Sequence, residues 1–264
     1  MNIFLHELKS YRKSVITWAI SMAATATLFI LLYQAISSDI AAFTKVLESV
    51  PEALRNALGF LVGSLSTLPG FYSIIFTYLL LCGAIQAMNL GISIVSKEVS
   101  AKTADFLLTK PVSRATILNA KLMATLVSLV ATNLIFLAVT VPVALSQDPG
   151  TNMPLFLMIS ATLFLVQLMF ASLGILAAVV TRKIKSVVAV SLPAAFGFFI
   201  VGMLGSVIGD KAIRYFTPFK YFDLAYILAH SSYEVSYLVV GAFLIVAAIA
   251  MSYLIYVRKD IHTV

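Results

Sequence analysis

The sequence predicts an all-α, polytopic membrane protein, with one transmembrane domain over residues 1–264 and six spans. Three observations predict it. First, 61% of the residues are hydrophobic and only 11% are charged, with a mean hydropathy of +1.02. A soluble domain carries roughly a quarter charged residues, and no soluble core hides so large an apolar fraction. Second, charge-free runs occupy residues 14–38, 56–96, 122–147, 149–181, 186–209 and 235–257. Each exceeds the roughly 20 residues that a helix needs to cross about 30 Å of hydrocarbon. The runs are continuous, whereas a β-barrel would show short alternating segments. Third, the charges between the runs are skewed. The N-terminus, residues 97–121, residues 182–185 and the C-terminus together hold 13 Lys and Arg against 4 acids, and the opposite side holds 5 against 7. Short loops rich in Lys and Arg stay in the cytoplasm, so both termini are expected there. This bias accounts for most of the formal charge of +7, and no nucleic-acid partner is expected.

Taken in order, residues 2–13 mix Ile3, Phe4, Leu8 and Tyr11 with Glu7, Lys9, Arg12 and Lys13. This pattern predicts a short amphipathic helix at the cytoplasmic interface, and Trp18 suits an interfacial belt. The first span covers about 14–36. Ala35-Ile36-Ser37 faintly resembles a cleavage site, but the apolar run is too long for a signal core and five more spans follow. Residues 37–70 then carry Ile40, Phe43, Leu47, Val50, Leu54, Leu58 and Leu61 at steps of three or four, one apolar helix face. Ser49-Val50-Pro51-Glu52 matches a capping box and predicts a second helix after a kink. A packed connector is the plain reading of this segment, and a substrate gate the sharper one.

The second span is placed at about 71–96 and the third at 117–145. The turn Gln147-Asp148-Pro149-Gly150 leads to a fourth at 155–181, and the fifth covers 187–208. Residues 210–234 are rich in Tyr and Phe, as an interfacial or re-entrant helical element would be. The sixth span covers about 235–257. Cys82, the single cysteine, lies within the second span and reads as a packing residue. Gly59/Gly63 and Gly205/Gly209 have the four-residue spacing that lets helices approach closely.

Enzyme signatures are missing. His6, His230 and His262 form no His-Glu-x-x-His motif, there is no Gly-x-Ser-x-Gly elbow, and no Gly is followed by Lys. A phosphate-cradling loop and a metal site are therefore not expected. The centres of the spans hold no charge, which disfavours a proton- or ion-coupled pump. Gln86, Asn89, Asn133 and Gln167 are polar groups at depth. They are candidates either for a translocation path or for hydrogen bonds between helices. The segment between the second and third spans mixes acids, bases and apolar residues, then reaches Pro111, which stops a helix, and Ser113, which can cap the next. A short amphipathic helix of this kind suits either docking to a soluble partner or an ordinary charged loop.

That segment resembles the type-two ABC transporter permeases, a bacterial export-type family of about six spans. The resemblance rests on Glu98, Thr103, Asp105, Leu107-Leu108, Pro111-Val112-Ser113-Arg114 and Lys121. It extends to Glu7-Leu8-Lys9, to Val50-Pro51-Glu52-Ala53-Leu54 and to Thr217-Pro218-Phe219-Lys220-Tyr221-Phe222-Asp223. Where the family often has Gly before the Thr, this chain has Lys102. The resemblance implies a non-catalytic subunit in a bacterial cell membrane, paired with a second, identical or homologous permease. Two ATPase subunits would carry the ATP and magnesium, with no cofactor on this chain. Glu98, Lys102, Thr103, Asp105, Leu107, Leu108, Pro111, Ser113 and Arg114 would form a coupling helix against the ATPase. The implied cargo is amphipathic or apolar (a drug, a peptide antibiotic or a lipid). A sensor or scaffold that transports nothing, or a membrane-embedded enzyme, are the rival classes.

Overall fold

The computed structural model describes residues 3–59, 62–100, 113–181, 184–209 and 211–258. Six long helices carry the six apolar runs: α1 (Ile3–Ser37), α4 (Leu68–Ser100), α5 (Arg114–Gln147), α6 (Met153–Val180), α7 (Val188–Ile208) and α10 (Val235–Arg258). Between α1 and α4 lie α2 (Ile40–Glu48), α3 (Glu52–Leu58) and a 3₁₀ turn at Val62–Ser64. Between α7 and α10 lie α8 (Lys211–Arg214), a 3₁₀ turn at Pro218–Lys220 and α9 (Leu224–His230). No strand occurs among the described residues. Six crossings bring Ile3 and Arg258 to one face, called here the terminal face; the other is the far face.

The helices begin and end where local chemistry dictates. Ser113 is extended, and its hydroxyl accepts the Thr116 N–H, so it starts α5 as expected. Asn152 does the same for α6 through the Leu155 N–H, with Pro154 in the first turn. Gly209 closes α7 at φ +74°, a conformation that costs a side-chain residue energy.

Two expectations are modified. The polar segment 2–13 does not form a helix of its own, because α1 runs unbroken from Ile3 through the first span. No Gly or Pro interrupts residues 3–37, so nothing stops the helix at the interface. Near Ser49 the expected kink is present, but the capping box is not. Ser49 ends α2 in a helical conformation and its hydroxyl donates back to the Val46 carbonyl at 2.6 Å. Pro51 forces the break, since it has no N–H to continue the ladder and disfavours a helical residue before it.

The bundle is built on α4 and α6. Of their most apolar stretches, 78% and 61% are buried in protein, against 17% for α7 and for α10. Glycine explains how α4 and α6 come so close. A Cβ on Gly91 would lie 2.4 Å from the Ala171 carbonyl oxygen, and one on Gly174 would lie 2.7 Å from that of Met88. Each backbone therefore rests on the other, as small residues permit in membrane helices. The paired glycines picked out by spacing do so only in part. Gly205 lets the Ile213 side chain of α8 approach to where a Cβ would lie 2.8 Å from it, and Gly59 lets Thr77 of α4 approach. A Cβ on Gly63 or Gly209 meets nothing within 4 Å, and Gly209 serves as a positive-φ helix end. Helix α5 packs along α1 and reaches α4, α6 and α10, while α7 leans on α4 and α3.

At the far face, aromatic residues knit the ends. Tyr72 stacks on Phe156 with centroids 4.5 Å apart and shares a hydrogen bond with Ser160. The segment 211–234 folds inward, burying Phe219, Tyr221, Phe222, Leu224 and Ile227. Its register is fixed by Arg214, whose guanidinium grips both carboxylate oxygens of Glu234 at 2.6 and 3.2 Å. The same group lies 4.0 Å from the Tyr237 ring centroid. Burial works against the Arg214 charge, yet the Glu234 hydrogen bonds and nearby Asp223 hold its pKa above the ordinary value.

Candidate functional site

Two polar constellations cross the apolar bundle. The first stands at the terminal face, where the charged ends of α1, α4 and α5 meet. Glu7 projects from the first turns of α1 and is only 2% exposed. Its two oxygens face two lysines: Lys97 near the end of α4, hydrogen-bonded and ion-paired to Oε2, and Lys121 on α5, 3.6 Å from Oε1. Lys121 is 1% exposed and also donates to the Ile94 carbonyl on α4. Lys97 lies 5.3 Å over the Tyr11 ring. A buried carboxylate needs this pairing, because an isolated charge at such depth would be costly. One acid thus ties three helices at the place where the chain leaves α4 and returns into α5.

The segment between those two helices was singled out from sequence. Glu98 lies in the last turn of α4. Lys102, Thr103, Asp105, Leu107, Leu108 and Pro111 lie outside the described residues. Ser113 caps α5, and Arg114, half-buried, is its first residue. The Glu7 cluster therefore joins the two helix ends that flank this segment. Sequence reasoning named Glu7 and Lys121 without joining them. The available signal was that all three charges border apolar runs that share one face.

The second constellation lies at mid-bundle. Gln86, Thr132, Asn133 and Gln167 each fall near the middle of their helices, and their side chains form one directed chain of hydrogen bonds. Asn133 donates to Gln167 Oε1 at 2.6 Å, and Gln167 donates to Gln86 Oε1 at 2.8 Å. Gln86 donates to Thr132 Oγ1 at 2.9 Å, and Thr132 donates to the Ser128 carbonyl at 3.0 Å. Asn133 also donates to the Leu129 carbonyl. The structure thus brings together three of the four amides picked out from sequence, buried between α4, α5 and α6. Chemically the chain pins helices: each donor is satisfied where no water would replace a lost partner. Asn89 stands apart, half-buried, accepting from Ser191 on α7 at 2.7 Å.

Charge follows the same polarity as depth. Lys9, Arg12, Lys13, Lys97, Arg114, Lys121, Lys185 and Arg258 all belong to the terminal face, which is strongly basic. A long polar end of α1, a buried ion cluster and a basic rim thus meet at this face.

A family model described as ABC-2 family transporter protein matches residues 1–261. No curated protein matches the chain.

Proposed function

Because the chain belongs to the ABC-2 family of transporter proteins, we propose that it is the permease subunit of an ATP-driven exporter. As a transmembrane subunit of an ABC transporter, its family implies association with an ABC ATPase. In the proposed assembly, two permeases, identical or homologous, sit on two ATPases at the cytoplasmic membrane face, with both termini inside. The chain contributes no catalysis. Energy enters through residues 98–114, and the cargo is amphipathic or apolar.

The observation that carries the coupling reading is the Glu7 cluster. A force applied to the 98–114 segment acts at once on the end of α4 and the start of α5. Glu7 locks both to α1, so the three helices move as a body, a rigid-body transition of familiar type. The weakly covered apolar faces of α7 and α10 leave room for a second permease, and the absence of charge at mid-span suits an apolar cargo.

The test is reconstitution. Liposomes holding this chain and its cognate ABC ATPase should show ATP hydrolysis that rises with cargo. Glu98→Lys combined with Arg114→Glu should release the ATPase on purification while leaving the permease folded. A sensor or scaffold would show no cargo-stimulated hydrolysis, and that result would overturn the proposal.

A further inference from the structure

We propose that a cavity at the far face binds the headgroup of a zwitterionic glycerophospholipid, with the lipid phosphate on Lys220 and its ammonium on Asp223. The cavity measures about 290 Å³ and lies between the end of α3, α4, α7 and the inward-folded segment 218–225. Leu80, Phe199, Met203 and Phe219 give it apolar walls, and Lys220 and Asp223 line it with opposite charges. The site goes beyond the transporter reading and does not rest on it.

Three features point to this occupant. The first is the state of the two charges. Both side chains are half-buried, they are three residues apart, and yet they form no ion pair with each other or with any described residue. Asp223 uses one oxygen to accept the Ala225 N–H at 3.0 Å and cap α9, and the residue lines the cavity. Arg214 does not compete for Asp223 by direct contact, because it is spent on Glu234. Instead its Nε donates to the Lys220 carbonyl at 2.9 Å and fixes the turn that presents the ammonium. A separated cation and anion in one recess match a ligand carrying both charges in reverse order.

The second feature is depth. Phe199 to Ser206 lie within nine residues of the end of α7, or roughly 13 Å along the helix. That range covers the headgroup layer and the upper acyl chains. The third is size. Small-molecule sites start at roughly 300 Å³, so the cavity takes a headgroup and not a whole lipid. Acyl chains would leave along α7, where the neighbouring Ile200 and Leu204 are exposed and apolar. Gly202 keeps the recess open and close-fitting, since a Cβ there would come within 3.3 Å of Thr217 Oγ1.

The experiment measures lipid retention by native mass spectrometry of the purified full chain. Phosphatidylethanolamine, phosphatidylglycerol and diacylglycerol are added in turn. Retention of phosphatidylethanolamine should exceed that of either other lipid by about fivefold, the factor expected of a partly buried ion pair. Lys220→Gln should lose the advantage of both phospholipids over diacylglycerol. Asp223→Asn, which keeps the helix cap, should equalise phosphatidylethanolamine and phosphatidylglycerol. Equal retention of all three lipids by the unaltered chain overturns the proposal. So does undiminished phosphatidylethanolamine retention in Lys220→Gln at an unchanged melting temperature.

Discussion

Glu7 concentrates the residue-scale chemistry of this protein. Its carboxylate is buried with Lys121, whereas Lys97 keeps 27% of its side chain exposed. The two pairs should therefore differ in weight. Removing one partner of a buried pair leaves an uncompensated charge and costs about 3–5 kcal/mol, whereas a part-exposed pair is worth about 1 kcal/mol or less. Glu7→Gln should lower the apparent melting temperature in detergent far more than Lys97→Gln. Adding Lys121→Met to Glu7→Gln should recover most of the loss, because the buried ammonium that has lost its carboxylate is gone. If the double variant melts as low as Glu7→Gln alone, the buried pair is not what holds these helices. Sequence made the members visible and left the pairing hidden: Glu7 and Lys121 are 114 positions apart, and only the packing of α1 on α5 brings them together. The amides tell the same story. Gln86, Asn133 and Gln167 were legible as polar groups inside apolar runs, but which would meet which depended on helix rotation, while Asn89, three residues after Gln86, faces α7 instead.

Among the elements, the α4–α6 pair sets the geometry of everything else. Gly91 and Gly174 interlock, so either glycine given a methyl group must push the helices apart or bend one of them. Overpacking of this kind typically costs about 1–3 kcal/mol. Gly91→Ala and Gly174→Ala should each lower the apparent melting temperature by that equivalent. Gly197→Ala on α7, where a Cβ meets nothing within 4 Å, should leave it unchanged or raise it. A melting temperature for Gly174→Ala equal to that of the unaltered chain would mean that the two backbones are not in contact in the membrane. Neither glycine stands out in the sequence, because neither has another glycine four residues away and the close approach is made between helices. Spacing drew attention to Gly205 and Gly209, where the second residue serves only as a helix end. The spans themselves were legible, because loss of charge over a full membrane thickness is a one-dimensional signal. Their ends were less so: α4 starts three residues before and ends four residues after the expected boundaries, and α5 starts three before and ends two after. Polar residues do not stop a helix that emerges into water, and only a cap or a proline does.

At the scale of the whole molecule, orientation is decided by charge rather than by shape. The six helices would cross a bilayer equally well either way up. In the proposed orientation, the side that carries 13 basic and 4 acidic residues faces the compartment that retains Lys and Arg. On that side lie Ile3, Arg258, the Glu7 cluster and the helix ends that flank the 98–114 segment; on the other lie the aromatic segment and the Lys220 recess. In the proposed assembly, coupling to a soluble ATPase and the lipid recess belong to opposite faces, and inverting the molecule would remove the partner from reach of the segment proposed to receive it. Single cysteines in a Cys82→Ala background test this directly with a membrane-impermeant maleimide. Thr103→Cys should label only after the cells are permeabilised, and Ser232→Cys, on the exposed turn before α10, should label in intact cells. The reverse pattern would place residues 98–114 outside the cell, where no ATP is available to drive a coupling step. Charge asymmetry would then have to be read as a feature of the partner surface rather than of the membrane.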